Sequence, residues 1–175
     1  MIRRLVLVLL AAALLGCGGT AEERYDLVRL HVVAADDSAA AQELKRELRD
    51  VCLRCAEVCI GDAQDADEAY MRLGRYAGDF EDACRARARE LGCGERITAE
   101  TGVFEFPDRL YGDVLLPAGE YRALRITIGD GAGHNWWCVL YPTLCVVNEE
   151  DAASAEPLYC ERVLAWLRAK IGGAV

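Results

Sequence analysis

Hydrophobic and polar positions change period several times along the chain, and each change marks an element. An unbroken apolar run from Leu5 to Leu15 opens it, 21–26 are small or polar, and 27–33 (Leu-Val-Arg-Leu-His-Val-Val) read as a buried strand. Asp36-Asp37-Ser38 then offers side-chain oxygens for capping, with Gln42 or Glu43 at capping-box distance. The spacing behind them predicts a helix over 39–60, ended by Gly61, whose apolar stripe runs through Leu44, Leu48, Val51, Cys52, Cys55 and Cys59. From Asp65 and Asp67 onward, Leu73, Tyr76 or Ala77, Phe80, Cys84 and Leu91 recur at helical spacing and predict a second helix. Gly74 and Gly78 weaken it, each costing about 1 kcal/mol relative to Ala in a helix interior.

Gly92-Cys93-Gly94 closes the helical half, and Thr, Ile, Val and Phe become frequent after it. Residues 96–106 predict a strand that stops at Pro107, 111–117 an apolar connector, and 119–129 an alternating strand carrying Tyr121, Ala123, Leu124, Ile126 and Ile128. A glycine-rich loop, Gly129 to Gly133, leads into Asn135-Trp136-Trp137-Cys138 with strand-like surroundings to Val147. Residues 156–171 read as an amphipathic terminal helix bearing Leu158, Val163, Leu164, Trp166, Leu167 and Ile171. The order strand-helix-helix-strand-strand-helix, without a repeat or a long linker, predicts one α+β two-layer domain over 27–175. With 175 residues, 53% of them hydrophobic, there is material for one sizeable core and not for two.

Charge and the first residues narrow the partners and the compartment. Twenty Lys and Arg against 29 Asp and Glu give a net charge of -9, which opposes binding to phosphate backbones, so no nucleic acid is expected. Met1-Ile2-Arg3-Arg4, the apolar run and Gly16-Cys17 have the layout of an export signal over 1–16, followed by a short linker over 17–26. The run is shorter than the roughly 20 residues that a spanning helix needs. Leu14-Leu15-Gly16-Cys17 resembles a bacterial lipobox, which makes Cys17 a lipidation candidate; the alternative is cleavage nearby with Cys17 of no consequence. Membrane contact is therefore expected only through the signal or a lipid on Cys17. The nine cysteines become an even eight once Cys17 is set aside, which suits disulfides in an oxidising compartment.

Few residues suggest chemistry. Cys52-x-x-Cys55-x-x-x-Cys59 has a metal-like spacing, yet all three sulfurs continue the apolar stripe of a helix, which favours packing or disulfides over a metal site. An antiparallel hairpin turning near Asp62 or Ala63 puts Cys52 opposite about Leu73 and roughly 16 Å from Cys84, beyond disulfide reach. Cys84 with Cys93, and Cys138 with Cys145 across Pro142, are then the bridge candidates by proximity. The glycine loop has no Gly-Lys-Ser/Thr and carries no phosphate-loop reading. Cys138, His134 and Asp130 assemble on paper into a thiol nucleophile with base and orienting acid, but four residues of extended chain separate His134 from Cys138 by about 13 Å. No catalytic set, metal or cofactor is therefore expected. Trp136 and Trp137 are adjacent and point to opposite faces of an extended segment. One of them, if exposed beside the glycine loop, would anchor a protein partner; the other reading packs both beneath the terminal helix.

Phe106-Pro107-x-x-Leu110-Tyr111-Gly112, Leu116-Pro117-Ala118-Gly119-Glu120-Tyr121, Ile126-x-Ile128-Gly129, and Gly131-x-Gly133-x-Asn135-Trp136-Trp137-Cys138-Val139-Leu140-Tyr141-Pro142-x-Leu144-Cys145 closely resemble the stage II sporulation protein R family. Arg29-Leu30-His31-Val32 and Gln42-Glu43-Leu44-Lys45 resemble its opening strand and first helix, so the resemblance spans about 28–147. Where the family tends to carry Ala-Asn-Ser-Asp-Ser, this chain has Ala34-Ala35-Asp36-Asp37-Ser38, and Cys52, Cys55, Cys59, Cys84, Cys93 and Cys160 lie outside the pattern. The resemblance implies a signalling protein and not an enzyme. Such a protein is exported from the forespore into the space between forespore and mother cell, where a membrane-embedded aspartic protease of the mother cell is led to process the sigma-E precursor. On that reading Asn135, Trp136, Trp137 and Tyr111 are the candidate contact residues, with Gly129, Gly131 and Gly133 shaping the loop. The alternatives are an exported thiol or redox enzyme using Cys138 and a structural lipoprotein of the envelope.

Overall fold

The computed structural model describes residues 26–111 and 114–142. In chain order these form β1 (Val28–Val33), α1 (Ala39–Ile60), α2 (Ala66–Arg75), α3 (Ala77–Glu90), β2 (Ile97–Phe106), β3 (Arg109–Tyr111), β4 (Val114–Leu116), β5 (Gly119–Ile128) and β6 (Asn135–Tyr141). The expected export signal, Cys17, Cys145, Cys160 and terminal helix lie outside the described residues.

Strand β1 is buried along its whole length because it sits inside a mixed sheet of order β2-β5-β1-β6. It runs parallel to β5 and antiparallel to β6, while β2 pairs antiparallel with β5 at the far edge. Alternation sends Val28, Leu30 and Val32 of β1, Leu124, Ile126 and Ile128 of β5, and Trp136, Cys138 and Leu140 of β6 into one core against the helices. The opposite face carries Leu27, Tyr121, Ala123, Trp137 and Val139, covered by Tyr111, Val114 and Leu116 of a β3–β4 hairpin. Within the stretch read as a connector, Tyr111 ends β3 and Val114–Leu116 form β4 of a small second sheet. The predicted order also lacked β6, whose unbroken apolar run is that of a strand covered on both faces.

The first helix begins where expected. Ser38 Oγ accepts from the Ala41 amide at 3.2 Å, and Leu44, Leu48, Val51 and Cys52 are buried; Cys55 and Cys59 are only half-buried at the stripe's edge. Lys45 and Arg49 are buried on the same helix through their stems, the Arg49 guanidinium carbon lying 4.3 Å from the Trp136 ring centre. The second predicted helix is two helices. Asp65 caps α2 by accepting from the Glu68 amide, Arg72 and Arg75 favour its carbonyl end, and Tyr76 leaves the helical region at φ -104°, ψ 12°. α3 starts immediately afterwards, with Gly74 and Gly78 flanking the break. The break invalidates the register of a straight hairpin: Cys52 Sγ and Cys84 Sγ lie 3.5 Å apart, both fully buried, and not about 16 Å. Cys84 therefore faces Cys52 and not Cys93. No helix among the described residues is long and apolar enough to cross a membrane.

Candidate functional site: the crossover end of the sheet

Because β5 and β1 are parallel neighbours, their ends lie at the same edge of the sheet, and the chain leaving Ile128 must pass over the end of β1 to enter β6 on its far side. The glycines make that passage. Gly129 and Gly131 hold φ of 57° and 65°, a region that residues with a Cβ avoid, and the Gly131 amide donates to the Ile128 carbonyl. The Ala132 and Gly133 amides donate to the carbonyls of Ala35 and Ala34 at 3.1 and 3.0 Å, drawing the loop against the β1–α1 turn. A Cβ on Gly133 would sit 2.2 Å from the Asp36 carbonyl oxygen. The loop's amides are turned to the protein's own carbonyls, which accounts for the glycine spacing without a phosphate.

Asp37 closes the arrangement from the other side. Its Oδ1 accepts from the His134 backbone amide at 2.6 Å and meets His134 Nδ1, contacts that hold its carboxyl below the usual range, the backbone hydrogen bond foremost. Lys45 Nζ donates to the His134 carbonyl at 3.1 Å and to Gln42 Oε1 at 2.6 Å. Asp37 thus ties the loop, and Ser38 beside it caps α1. Between the loop and the segment entering the β3–β4 hairpin runs a polar groove of about 600 Å³, with Asp37, Lys45, Arg109, His134, Asn135 and Trp137 on its walls. The His134 side chain is 81% exposed, and Asn135 is exposed beside it. Leu110 and Leu115, cross-strand partners on the hairpin, are 48% and 54% exposed.

The floor of this end is aromatic and holds two buried basic side chains. His31 stacks on Trp137 with ring centres 3.9 Å apart, and Phe106 lies 4.6 Å from Trp137. Burial pushes the His31 pKa down to about 4, Asn135 opposing it, so the ring is neutral at pH 7. Arg29, fully buried, has its guanidinium carbon 4.1 Å from the centre of Phe106 and 4.8 Å from that of Tyr121, and donates to the Tyr111 hydroxyl. Desolvation lowers its pKa, and raises that of Tyr111 to about 12. Sequence reasoning missed both residues as part of this end. The signal was there, since Arg29 and His31 share one parity of β1 and the aliphatics Val28, Leu30 and Val32 the other.

The predicted contact residues divide accordingly. Trp136 and Trp137 do point to opposite faces, but neither is an exposed anchor: Trp136 is 2% exposed under α1 and Trp137 9% exposed on the other face. The flanking strands, hairpin and α1 bury both, as the packed reading has it, although the terminal helix named there as the cover lies outside the described residues. Tyr111 is fully buried, and only Asn135 of the named side chains stands in solvent. Cys138 is fully buried on the helix side with its thiol on the Val139 carbonyl, whereas His134 pairs with Asp37 at the surface and Asp130 is exposed on the loop. The paper triad of Cys138, His134 and Asp130 is therefore not assembled. Among the described residues no cluster of His, Cys, Asp and Glu has a metal-binding arrangement.

The chain is related to known proteins over the whole of its described residues. The model of the family described as "Stage II sporulation protein R (spore_II_R)" matches residues 24–151, which include β1, the hairpin, the crossover loop and β6. The chain belongs to the stage II sporulation protein R family. A curated relative, stage II sporulation protein R of Bacillus subtilis (strain 168), is 32% identical over 151 residues, covering 82% of this chain and 67% of that protein. No solved structure matches. A role in sporulation goes with membership of the stage II sporulation protein R family, which is a family of signalling proteins and not known as one of enzymes.

Proposed function

We propose that this chain is an exported sporulation signal that docks on the extracytoplasmic side of a membrane-embedded aspartic protease of the mother cell, and so leads to processing of the sigma-E precursor across the forespore septum. It acts in the space between the two membranes and contacts its partner through the crossover end of the sheet. The observation that carries this reading is the family match over 24–151, a span that contains every element building that end. The physical form of the surface agrees with a protein partner. His134 and Asn135 project from a loop held by backbone hydrogen bonds, so little ordering is required on docking. Leu110 and Leu115 add exposed apolar area close to the groove's cationic Arg109.

The test is complementation. In a sporulating host lacking its own stage II sporulation protein R, this chain is expected to restore conversion of the sigma-E precursor, read by immunoblot. A stably produced chain that restores no conversion contradicts the reading. The thiol-enzyme alternative gains nothing from the structure, because Cys138 is sealed beneath α1.

A further inference from the structure

The geometry points to a disulfide between Cys52 and Cys84 that clamps α1 to α3 in the mature protein. The two sulfurs face each other at 3.5 Å across the helix interface, 32 residues apart in sequence, and both residues have no solvent exposure. A disulfide has an S–S length of about 2.05 Å, so an approach of about 1.5 Å is needed, within the range of side-chain torsion and small helix adjustment. The other described cysteines are placed differently. Cys55 and Cys59 border a surface groove with Arg72 and Tyr76, Cys93 is half-buried beyond the end of α3, and Cys138 lies across the core on β6. The facing Cys84 sulfur, and after it burial, hold the Cys52 thiol above its usual pKa.

The oxidant is a disulfide donor, such as an oxidised dithiol oxidoreductase or glutathione disulfide. One cysteine loses its proton and its thiolate attacks the donor, giving a mixed disulfide and releasing one donor thiol. The other cysteine then loses its proton and displaces the second donor thiol. Two cysteine thiols and one donor disulfide become one protein disulfide and two donor thiols. The inference rests on the export reading only for the presence of such a donor in the cell.

Trypsin separates the relevant residues: Cys52 falls in peptide 50–54, Cys55 and Cys59 in 55–72, Cys84 in 76–85 and Cys93 in 90–96. The full chain, reduced and unfolded, is refolded in a buffer of reduced and oxidised glutathione, blocked with iodoacetamide, and digested without reductant. Peptides 50–54 and 76–85 are expected as one cross-linked mass that separates on reduction. Alkylation of both in the folded protein overturns the proposal, as does linkage of 76–85 to 55–72 or to 90–96. Because the buffer supplies the oxidant, this outcome is independent of export, which is read separately by fractionating the producing cells. As a second measurement, dithiothreitol is expected to lower the Tm of the oxidised chain by about 5–15 °C, as estimated for a loop of this length. The same treatment should leave the Cys52→Ala/Cys84→Ala chain within about 2 °C, and an equal drop in both also overturns the proposal.

Discussion

Replacing Gly133 by Ala tests the topological reading of the crossover loop. The added methyl would lie 2.2 Å from the Asp36 carbonyl oxygen, 2.5 Å from its carbon and 2.8 Å from the Cα, all of them backbone atoms that cannot swing aside like a side chain. To fit, the loop must lift away from β1, stretching the Gly133 and Ala132 hydrogen bonds to Ala34 and Ala35. Overpacking of this kind costs about 1–3 kcal/mol, and each weakened hydrogen bond adds about 0.5–1.5 kcal/mol. A loss of roughly 2–6 kcal/mol follows, or a Tm lower by about 4–24 °C for a domain of this size. Gly78→Ala is the matched control, since nothing lies within 4 Å of its added Cβ and it sits in α3. It should be neutral or stabilising by up to about 1 kcal/mol. Thermal and urea denaturation followed by circular dichroism measure both. A Gly133→Ala protein within about 0.5 kcal/mol of the parent would refute the close approach of loop and turn that the crossover requires.

Other consequences are independent of the loop. His31 is neutral in the fold down to about pH 4 but accepts a proton near pH 6.5 when unfolded. Its contribution is fully present above pH 6.5 and is lost as pH falls from 6.5 to 4, by at most about 3 kcal/mol. Urea titrations across that window should show a slope that His31→Phe flattens, and an unchanged slope in the variant would count against a buried neutral His31. Ser38→Ala removes the hydroxyl that accepts from Ala41 and should cost about 0.5–2 kcal/mol in the same assay, without altering the sheet. Trp137→Ala leaves His31, Phe106 and Arg109 without their packing partner and should lower stability by about 3–5 kcal/mol, so its loss of activity reports on folding and not on contact.

What the sequence revealed follows from which forces are local. The span and cap of α1 were legible because Ser38 and the stripe through Leu44, Leu48 and Val51 act within a few residues of one another. β2 was legible from its Thr, Ile, Val and Phe content and from Pro107 at its end, and β5 from alternation and Gly129. The break at Tyr76 was signalled only as a weakening at Gly74 and Gly78, because Leu73 and Phe80 keep their helical spacing across it. That one missed turn displaced the expected cysteine partners. The hairpin at Arg109 to Leu116 was hidden because its stability comes from covering Tyr121 and Trp137, which lie far from it in sequence or on another strand. Gly129, Gly131 and Gly133 were read as one loop leading into Asn135, and in the fold that loop ends at the first residue of β6. The binding of that loop to Asp37 and Lys45, and the burial of both tryptophans, required the β5-to-β6 crossing over β1, which no local pattern encodes.

The most direct test of the proposed contact surface is sigma-E precursor processing by a His134→Ala/Asn135→Ala chain in the complementation host. Both side chains are exposed, and the loop's hydrogen bonds to Ala34 and Ala35 use backbone atoms that the substitutions leave in place. Processing is expected to fall at least tenfold, equivalent to about 1.4 kcal/mol of lost contact, while the secreted chain keeps its amount and its Tm within about 3 °C. Val58→Ala, an exposed apolar change on α1, should process normally. Parent-level processing by the doubly substituted chain, at equal abundance, would contradict the assignment of the crossover end as the surface that meets the protease.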